Sequence, residues 1–185
     1  MRLFLAVVPP PAILDEIEEL VAPHRDAWPN LRWVRRDFLH ITLAFLGEME
    51  ERSLDRLLPR LERVAERYPA LALSFAGAGA FPGRGTHARV LWTGLYGDRR
   101  ALSRISASAY AAARRAGAPE ADHKPFRPHL TLARCRRPTD VRPLIDELAA
   151  YAGAQWTAGD VHLVRSHLGT DMRYETIKSW PFSGS

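Results

Sequence analysis

His40-Ile41-Thr42-Leu43-Ala44 and His129-Leu130-Thr131-Leu132-Ala133 are near copies of one another. Each sets a histidine two residues before a threonine, among apolar residues that favour strands. Side chains two positions apart on a strand share a face. Each segment therefore presents an imidazole and a hydroxyl on one surface. If the two strands are neighbours, two imidazoles face each other across one cleft, and one can take a proton while the other gives one. Imidazole, with an unperturbed pKa of about 6.5, holds both forms near neutrality. Phosphodiester cleavage needs both: an activated nucleophile and a protonated leaving alkoxide. The threonine hydroxyls can donate to nonbridging phosphate oxygens as charge builds in the transition state. Acid, base and anion binding are then covered without a metal. A single His-x-Thr match is weak, because many chains contain one by chance. Two matches, each continued by Leu-Ala on an expected strand, are a far stronger signal.

The elements that must position these residues follow from periodicity and punctuation. Leu3-Val8 reads as a first buried strand, ended by Pro9-Pro10-Pro11. Ile13, Leu14, Ile17, Leu20 and Val21 recur at helical spacing, with Pro11 suited to the first turn. Leu31-Val34 and Leu39-Leu46 are strand candidates. Ser53 can cap a second helix whose apolar face holds Leu54, Leu57, Leu58, Leu61 and Val64, with a kink or late start expected at Pro59. Leu71-Ala76 and Arg89-Leu95 read as strands separated by a Gly/Pro loop, Gly77 to Thr86. Asp98 can cap a third helix that Gly117 stops. A polar loop, Ala118 to Pro128, leads into the second His-x-Thr strand. A fourth helix follows Pro138-Thr139. Gln155 to Leu168 and Met172 to Trp180 suggest a closing hairpin around Gly169-Thr170-Asp171. The two motifs lie 89 positions apart, which makes a duplicated half plausible.

Composition bounds the class. The 185 residues, 46% hydrophobic and 25% charged, fit one soluble globular domain. The N-terminal apolar run is too short to span a bilayer or to serve as a signal peptide. The lone Cys135 forms no internal disulfide, so a cytoplasmic location is expected. The formal charge of +5 is compatible with a phosphate-bearing partner. All basic residues but Lys124 and Lys178 are arginine, a bias that a GC-rich genome also produces.

The sequence resembles the 2H phosphoesterase superfamily, in particular the bacterial RNA 2′,3′-cyclic phosphodiesterases, also called 2′-5′ RNA ligases. The residues that carry the resemblance are Arg32-Trp33-Val34, His40-Ile41-Thr42-Leu43-Ala44-Phe45-Leu46-Gly47 and Phe126-Arg127-Pro128-His129-Leu130-Thr131-Leu132-Ala133-Arg134. Arg89-Val90-Leu91-Trp92 and Val164-Arg165-Ser166 also look familial. The resemblance covers essentially the whole chain. It implies an α+β, bilobal, pseudo-symmetric LigT-like fold over residues 1–185, with two interleaved lobes. Two mainly antiparallel sheets would flank a central cleft, with helices outside. It implies hydrolysis of a terminal 2′,3′-cyclic phosphate to a 2′-phosphate, with no metal or other cofactor. The partners would be RNA ends or nucleotides bearing that cyclic phosphate, handled by a monomer away from membranes. His40 and His129 would be the catalytic acid–base pair, His40 serving the leaving 3′-oxygen and His129 the water. Thr42, Thr131 and Arg134 would bind phosphate.

Other residues invite narrower readings. Phe45 and Phe81 can stack on a terminal base, although core packing is the first expectation for each. Arg127 is read as facing away from His129. Cys135 lies across the alternation from Arg134 and reads as buried filler. Gly83-Arg84-Gly85 lacks the ending of a phosphate-cradling loop and reads as a turn. His24, His87, His123, His162 and His167 have no partner motif.

Three rivals remain. A metal-dependent phosphodiesterase would want carboxylates in the motifs, and neither contains one. A non-catalytic RNA-binding module would want exposed aromatics and a basic stripe. Joining RNA ends through a 2′-5′ linkage is the same chemistry reversed. Other cyclic-nucleotide substrates stay open too.

Overall fold

The computed structural model describes residues 1–118, 125–167, 169 and 172–185. Among the described residues nine strands form two antiparallel sheets. The first has the order β3 (Ile41–Glu48), β1 (Arg2–Val7), β8 (Asp160–His167), β9 (Arg173–Pro181). The second has the order β2 (Leu31–Trp33), β6 (His129–Thr139), β5 (Ala88–Gly97), β4 (Leu71–Phe81), β7 (Trp156–Ala158). Every pairing within them is antiparallel. The chain crosses from sheet to sheet repeatedly, so each is built from both halves of the sequence.

One face of each sheet belongs to the core. In β1, Leu3, Leu5 and Val7 are buried there with Ile41, Leu43 and Leu163, while Phe4 and Ala6 point to the other face beside Val164 and Tyr174. Leu73, Phe75, Leu91, Leu130 and Leu132 bury the inner face of the second sheet. Among the described residues there are four α-helices: α1 (Pro11–Val21), α2 (Leu54–Ala65), α3 (Arg99–Ala116) and α4 (Arg142–Leu148). Helices α2 and α3 pack together, α3 on β3 and α2 on β9, while α4 packs on β4. Among the described residues no helix is long and apolar enough to cross a membrane.

Several expectations change. β4 does not stop at Ala76 but runs to Phe81, so the expected loop begins as strand. The stretch read as one strand from Gln155 divides at Gly159. β7 joins the second sheet and β8 the first. Residues 168, 170 and 171 of the expected hairpin turn lie outside the described residues, as do 119–124 of the polar loop, which include His123. Helix α2 continues through Pro59. Ser53 and Asp98 sit at the N-caps of α2 and α3, but their side chains bond elsewhere. Ser53 Oγ accepts from Arg56, and an Asp98 carboxylate oxygen accepts from the Ala72 N–H at 2.8 Å. Gly117 stops α3 as expected, in the left-handed region at φ 98°.

Candidate active site

His129 begins β6 and His40 immediately precedes β3, and both strands carry a bulge at the same motif position. In β3, Thr42 lies opposite Ala6 and Ala44 opposite Leu5, leaving Leu43 as the extra residue. In β6, Thr131 lies opposite Trp92 and Ala133 opposite Leu91, leaving Leu132 extra. An inserted residue shifts the alternation by one. Leu43 and Ala44 are both buried, as are Leu132 and Ala133. Strict alternation from the histidine would bury the residue five positions on. The bulge instead turns Phe45 and Arg134 out, onto the faces that carry His40 with Thr42 and His129 with Thr131.

Backbone groups beside each bulge are held by neighbours outside the bulged strand pair. Leu43 is on an edge strand covered by α3. Its carbonyl accepts from the buried Ser106 hydroxyl at 2.5 Å, and the Phe45 N–H donates to the Tyr110 hydroxyl at 3.2 Å. Ser106 and Tyr110 are one helical turn apart, so a single face of α3 holds the bulge. The Leu132 carbonyl accepts from the Val34 N–H at 2.9 Å, just past β2. Paired backbone groups of this kind fix the bulges, and so fix where Phe45 and Arg134 point.

The two imidazoles are oriented alike. His40 Nδ1–H donates to the Phe38 carbonyl at 2.7 Å, and His129 Nδ1–H donates to the Arg127 carbonyl at 2.6 Å. A carbonyl can only accept, so in each neutral ring Nε2 carries the lone pair. The Thr42 hydroxyl donates to His40 Nε2 at 3.0 Å. Nε2 of His129 has no protein partner among the described residues.

Packing differs between the halves. The His40 ring lies 4.9 Å from Phe4 and meets Tyr174 edge-on at 5.4 Å. Tyr174 also abuts Phe4 and Phe38. The His129 ring meets Phe81 edge-on at 5.1 Å and lies 6.3 Å from Trp92. The Trp92 indole packs against Gly79, its partner across β4–β5, where an added Cβ would stand 2.3 Å from the ring. Only glycine allows that contact. Gly94, directly opposite His129, carries no side chain of its own, and the Tyr96 ring takes the space beside it, 3.3 Å from where a Cβ would stand.

Charge ties the two halves together. Burial pushes the pKa of His40 down, and the positive charges of Arg134 and of a protonated His129 push it further, against the opposing pull of the Phe38 carbonyl. Burial likewise lowers His129, with Arg134 adding to it and the Arg127 carbonyl opposing. Arg134 also acts on the Tyr174 phenol, whose pKa burial raises. Arg134 of the second sheet is thus within electrostatic reach of His40 and Tyr174 of the first, and the two histidines sense each other.

These shifts predict a stability profile. In the unfolded chain both imidazoles titrate near about 6.5, but in the folded protein they resist protonation until lower pH. Between those values the unfolded state binds more protons. The ligand-free protein is therefore expected to lose stability as pH falls from about 6.5 toward the folded-state values, and to level off below them as far as these groups are concerned. His162, also lowered by burial, adds to the trend. Thermal midpoints between about pH 7.5 and 5.5 check this. A midpoint that rises toward acid would contradict it.

The expected site residues fall into place unevenly. His40, His129, Thr42 and Thr131 are half-buried and Arg134 is exposed. Phe45 is 51% exposed, which overturns the expectation of core packing; the bulge is the reason. Phe81 is half-buried against His129 and Trp92 rather than in the core. Arg127 does not face away. Its guanidinium lies 5.6 Å from the centre of the Phe81 ring, on the His129 side, as residues two apart share a face. Cys135 is buried, as expected. His24 contacts Glu147, His162 contacts Ser179 and His167 contacts Glu175; His87 is exposed. Tyr174 is not among the residues expected from sequence, and Trp92 enters there only as the end of the familial strand Arg89-Trp92. An aromatic at an alternating strand position looks the same whether it faces a core or a cleft.

Comparison with known proteins gives a consistent result. Residues 9–170 match the profile of the 2′-5′ RNA ligase superfamily. A Geobacillus stearothermophilus RNA 2′,3′-cyclic phosphodiesterase is 30% identical over 85% of this chain, which spans 49% of that protein's length. An Archaeoglobus fulgidus RNA 2′,3′-cyclic phosphodiesterase is 33% identical over 91% of this chain and 92% of its own. The crystal structure of E. coli LigT complexed with 3′-AMP superposes with a TM-score of 0.76 at 27% identity, covering 98% of this chain and 97% of that one.

Proposed function

This chain belongs to the 2′-5′ RNA ligase superfamily, and from that premise we propose that it hydrolyses the terminal 2′,3′-cyclic phosphate of RNA to a 2′-phosphate. The observation that carries the proposal is the convergence of two like-oriented imidazoles beside one arginine. Relatives 30% and 33% identical to this chain are named RNA 2′,3′-cyclic phosphodiesterases.

The chemistry runs between two Nε2 atoms. The unpaired Nε2 of His129 takes a proton from water as the water oxygen attacks phosphorus. The bond from phosphorus to the 3′-oxygen breaks, and His40, protonated at Nε2, returns a proton to that oxygen. The 2′-phosphate stays on the ribose. In the free protein the Thr42 hydroxyl donates to His40 Nε2. Protonation of Nε2 turns it into a donor, so Thr42 is released to donate to a nonbridging oxygen, as Thr131 does from the other strand. Arg134 supplies a charged fork to the same phosphate. Its anionic charge raises both imidazole pKa values, offsetting burial and letting one ring hold a proton. Phe45 and Phe81, one at each side of the cleft, offer flat surfaces to the terminal base.

Joining RNA ends through a 2′-5′ linkage uses the same groups in reverse, by microscopic reversibility. In water, without concentrated ends, hydrolysis dominates.

The decisive experiment incubates the protein with an oligoribonucleotide ending in a 2′,3′-cyclic phosphate, in the presence of EDTA. The expected product carries a 2′-phosphate. A 3′-phosphate product, or activity abolished by the chelator, would overturn the proposal.

A further inference from the structure

The site face of the second sheet holds a second arginine that the reaction does not use. Arg32 on β2 lies directly opposite Arg134 on β6, and both side chains are exposed. Directly opposite residues hold their Cβ atoms roughly 4.5–5.5 Å apart, and like charges so placed repel. The usual relief would be a carboxylate. Elsewhere on this surface Arg25 pairs with Glu18, Arg36 with Asp15 and Arg142 with Asp140. Among the described residues neither Arg32 nor Arg134 makes an ion pair or a side-chain hydrogen bond. The ladder extends past β2, where the Arg136 N–H donates to the Asn30 carbonyl at 3.0 Å. Arg136, two residues beyond Arg134, is also exposed and without an acidic partner among the described residues. Three guanidinium groups thus share one face, running from the imidazoles toward the β2 edge.

A lone cyclic phosphate occupies only the Arg134 end of this row. A polynucleotide supplies further anions at regular intervals, and forked guanidinium groups suit phosphate oxygens. Resting on the reading that this site acts on a 2′,3′-cyclic phosphate, we infer that Arg32 binds the phosphodiester preceding the terminal nucleotide, so that the RNA strand leaves the cleft across β2. The preferred substrate is then an oligoribonucleotide end rather than a free nucleoside cyclic phosphate. The repulsion between Arg32 and Arg134 in the free protein is relieved when the strand binds.

The test compares kcat/KM for a nucleoside 2′,3′-cyclic phosphate and for a short oligoribonucleotide with the same 3′-terminal nucleoside, in the wild type, Arg32→Ala and Arg32→Lys. The readout is the ratio of the two values, which cancels the amount of active protein and is insensitive to partial misfolding. The wild type is expected to favour the oligonucleotide. Arg32→Ala is expected to lower the ratio roughly tenfold and to flatten the salt dependence for the oligonucleotide by about 0.7 in slope, the value for one fewer phosphate contact on a single strand. Arg32→Lys should keep the slope and recover part of the ratio. A ratio unchanged by Arg32→Ala would overturn the inference while leaving the hydrolysis reading intact. An equal loss on both substrates would also overturn it, because Arg32 would then act only through the charge of Arg134. A wild-type protein that turns over neither substrate would remove the hydrolysis reading itself, and this inference with it.

Discussion

Alanine at either His40 or His129 is expected to lower turnover of a cyclic phosphate end by about 10²- to 10⁴-fold, the usual contribution of one general acid or base. The double substitution should cost little more than the worse single one, since groups that act as a unit are far from additive. Binding of the 2′-phosphate product should survive in each case, because Arg134 and the threonines remain. The two variants should differ in stability. His40 is packed between Phe4 and Tyr174 and bonded at both nitrogens, so its removal opens a hole in the small aromatic cluster. Among the described residues His129 bonds at one nitrogen only, and its ring meets Phe81 edge-on with Trp92 farther off. His40→Ala is therefore expected to lower the thermal midpoint more than His129→Ala does. Rapid-quench rates with a labelled oligonucleotide, alongside product-binding isotherms, provide the check. Retention of near-wild-type rates in either variant would remove that imidazole from the chemistry.

The second large effect belongs to Arg134. Hydrogen bonds to a charged group are worth about 1.5–3 kcal/mol, so Arg134→Ala is expected to lower kcat/KM about ten- to a hundredfold. Its separate signature lies in the pH profile. In the free protein burial and Arg134 hold both imidazoles below their usual pKa. On the proposed mechanism turnover needs one ring protonated and the other neutral, so kcat/KM should peak on the acid side of about 6.5 and fall as both rings lose their protons. Removing the Arg134 charge lets both pKa values rise. The whole bell should then move to higher pH while its height falls. Arg134→Lys restores the charge but not the fork. It should return the bell to its wild-type position at reduced height. A profile that does not move in Arg134→Ala would show that the arginine does not sense the imidazoles.

Much of this site was legible in the chain itself. Alternation is a local property, so His40 with Thr42 and His129 with Thr131 had to share a face wherever their strands went. The repeat of the motif by itself points to acid–base work. The α-helices followed from periodicity and from stop signals such as Gly117, and the α+β fold from the resemblance to a known family. The placement of the residues beyond each motif did not. Counting by twos from His129 buries Arg134 with Leu130 and Leu132, and only the extra residue at Leu132 turns it outward. The same insertion at Leu43 exposes Phe45. Nothing in Leu-Ala marks a bulge, because what stabilises it is distant in sequence: Ser106 and Tyr110 of α3 for one strand, Val34 for the other.

The amino-acid order thus determined which chemical groups travel together. The tertiary structure alone decided which of those sets meet. It brought together motifs 89 residues apart, set Tyr174 against His40 and Trp92 near His129, and aligned Arg32 with Arg134. The division has a physical cause. Backbone stereochemistry fixes the direction of neighbouring side chains within a few residues. Which strands lie side by side, and where a bulge is tolerated, depends on burying one continuous core and pairing every backbone group, conditions that only the whole chain can satisfy.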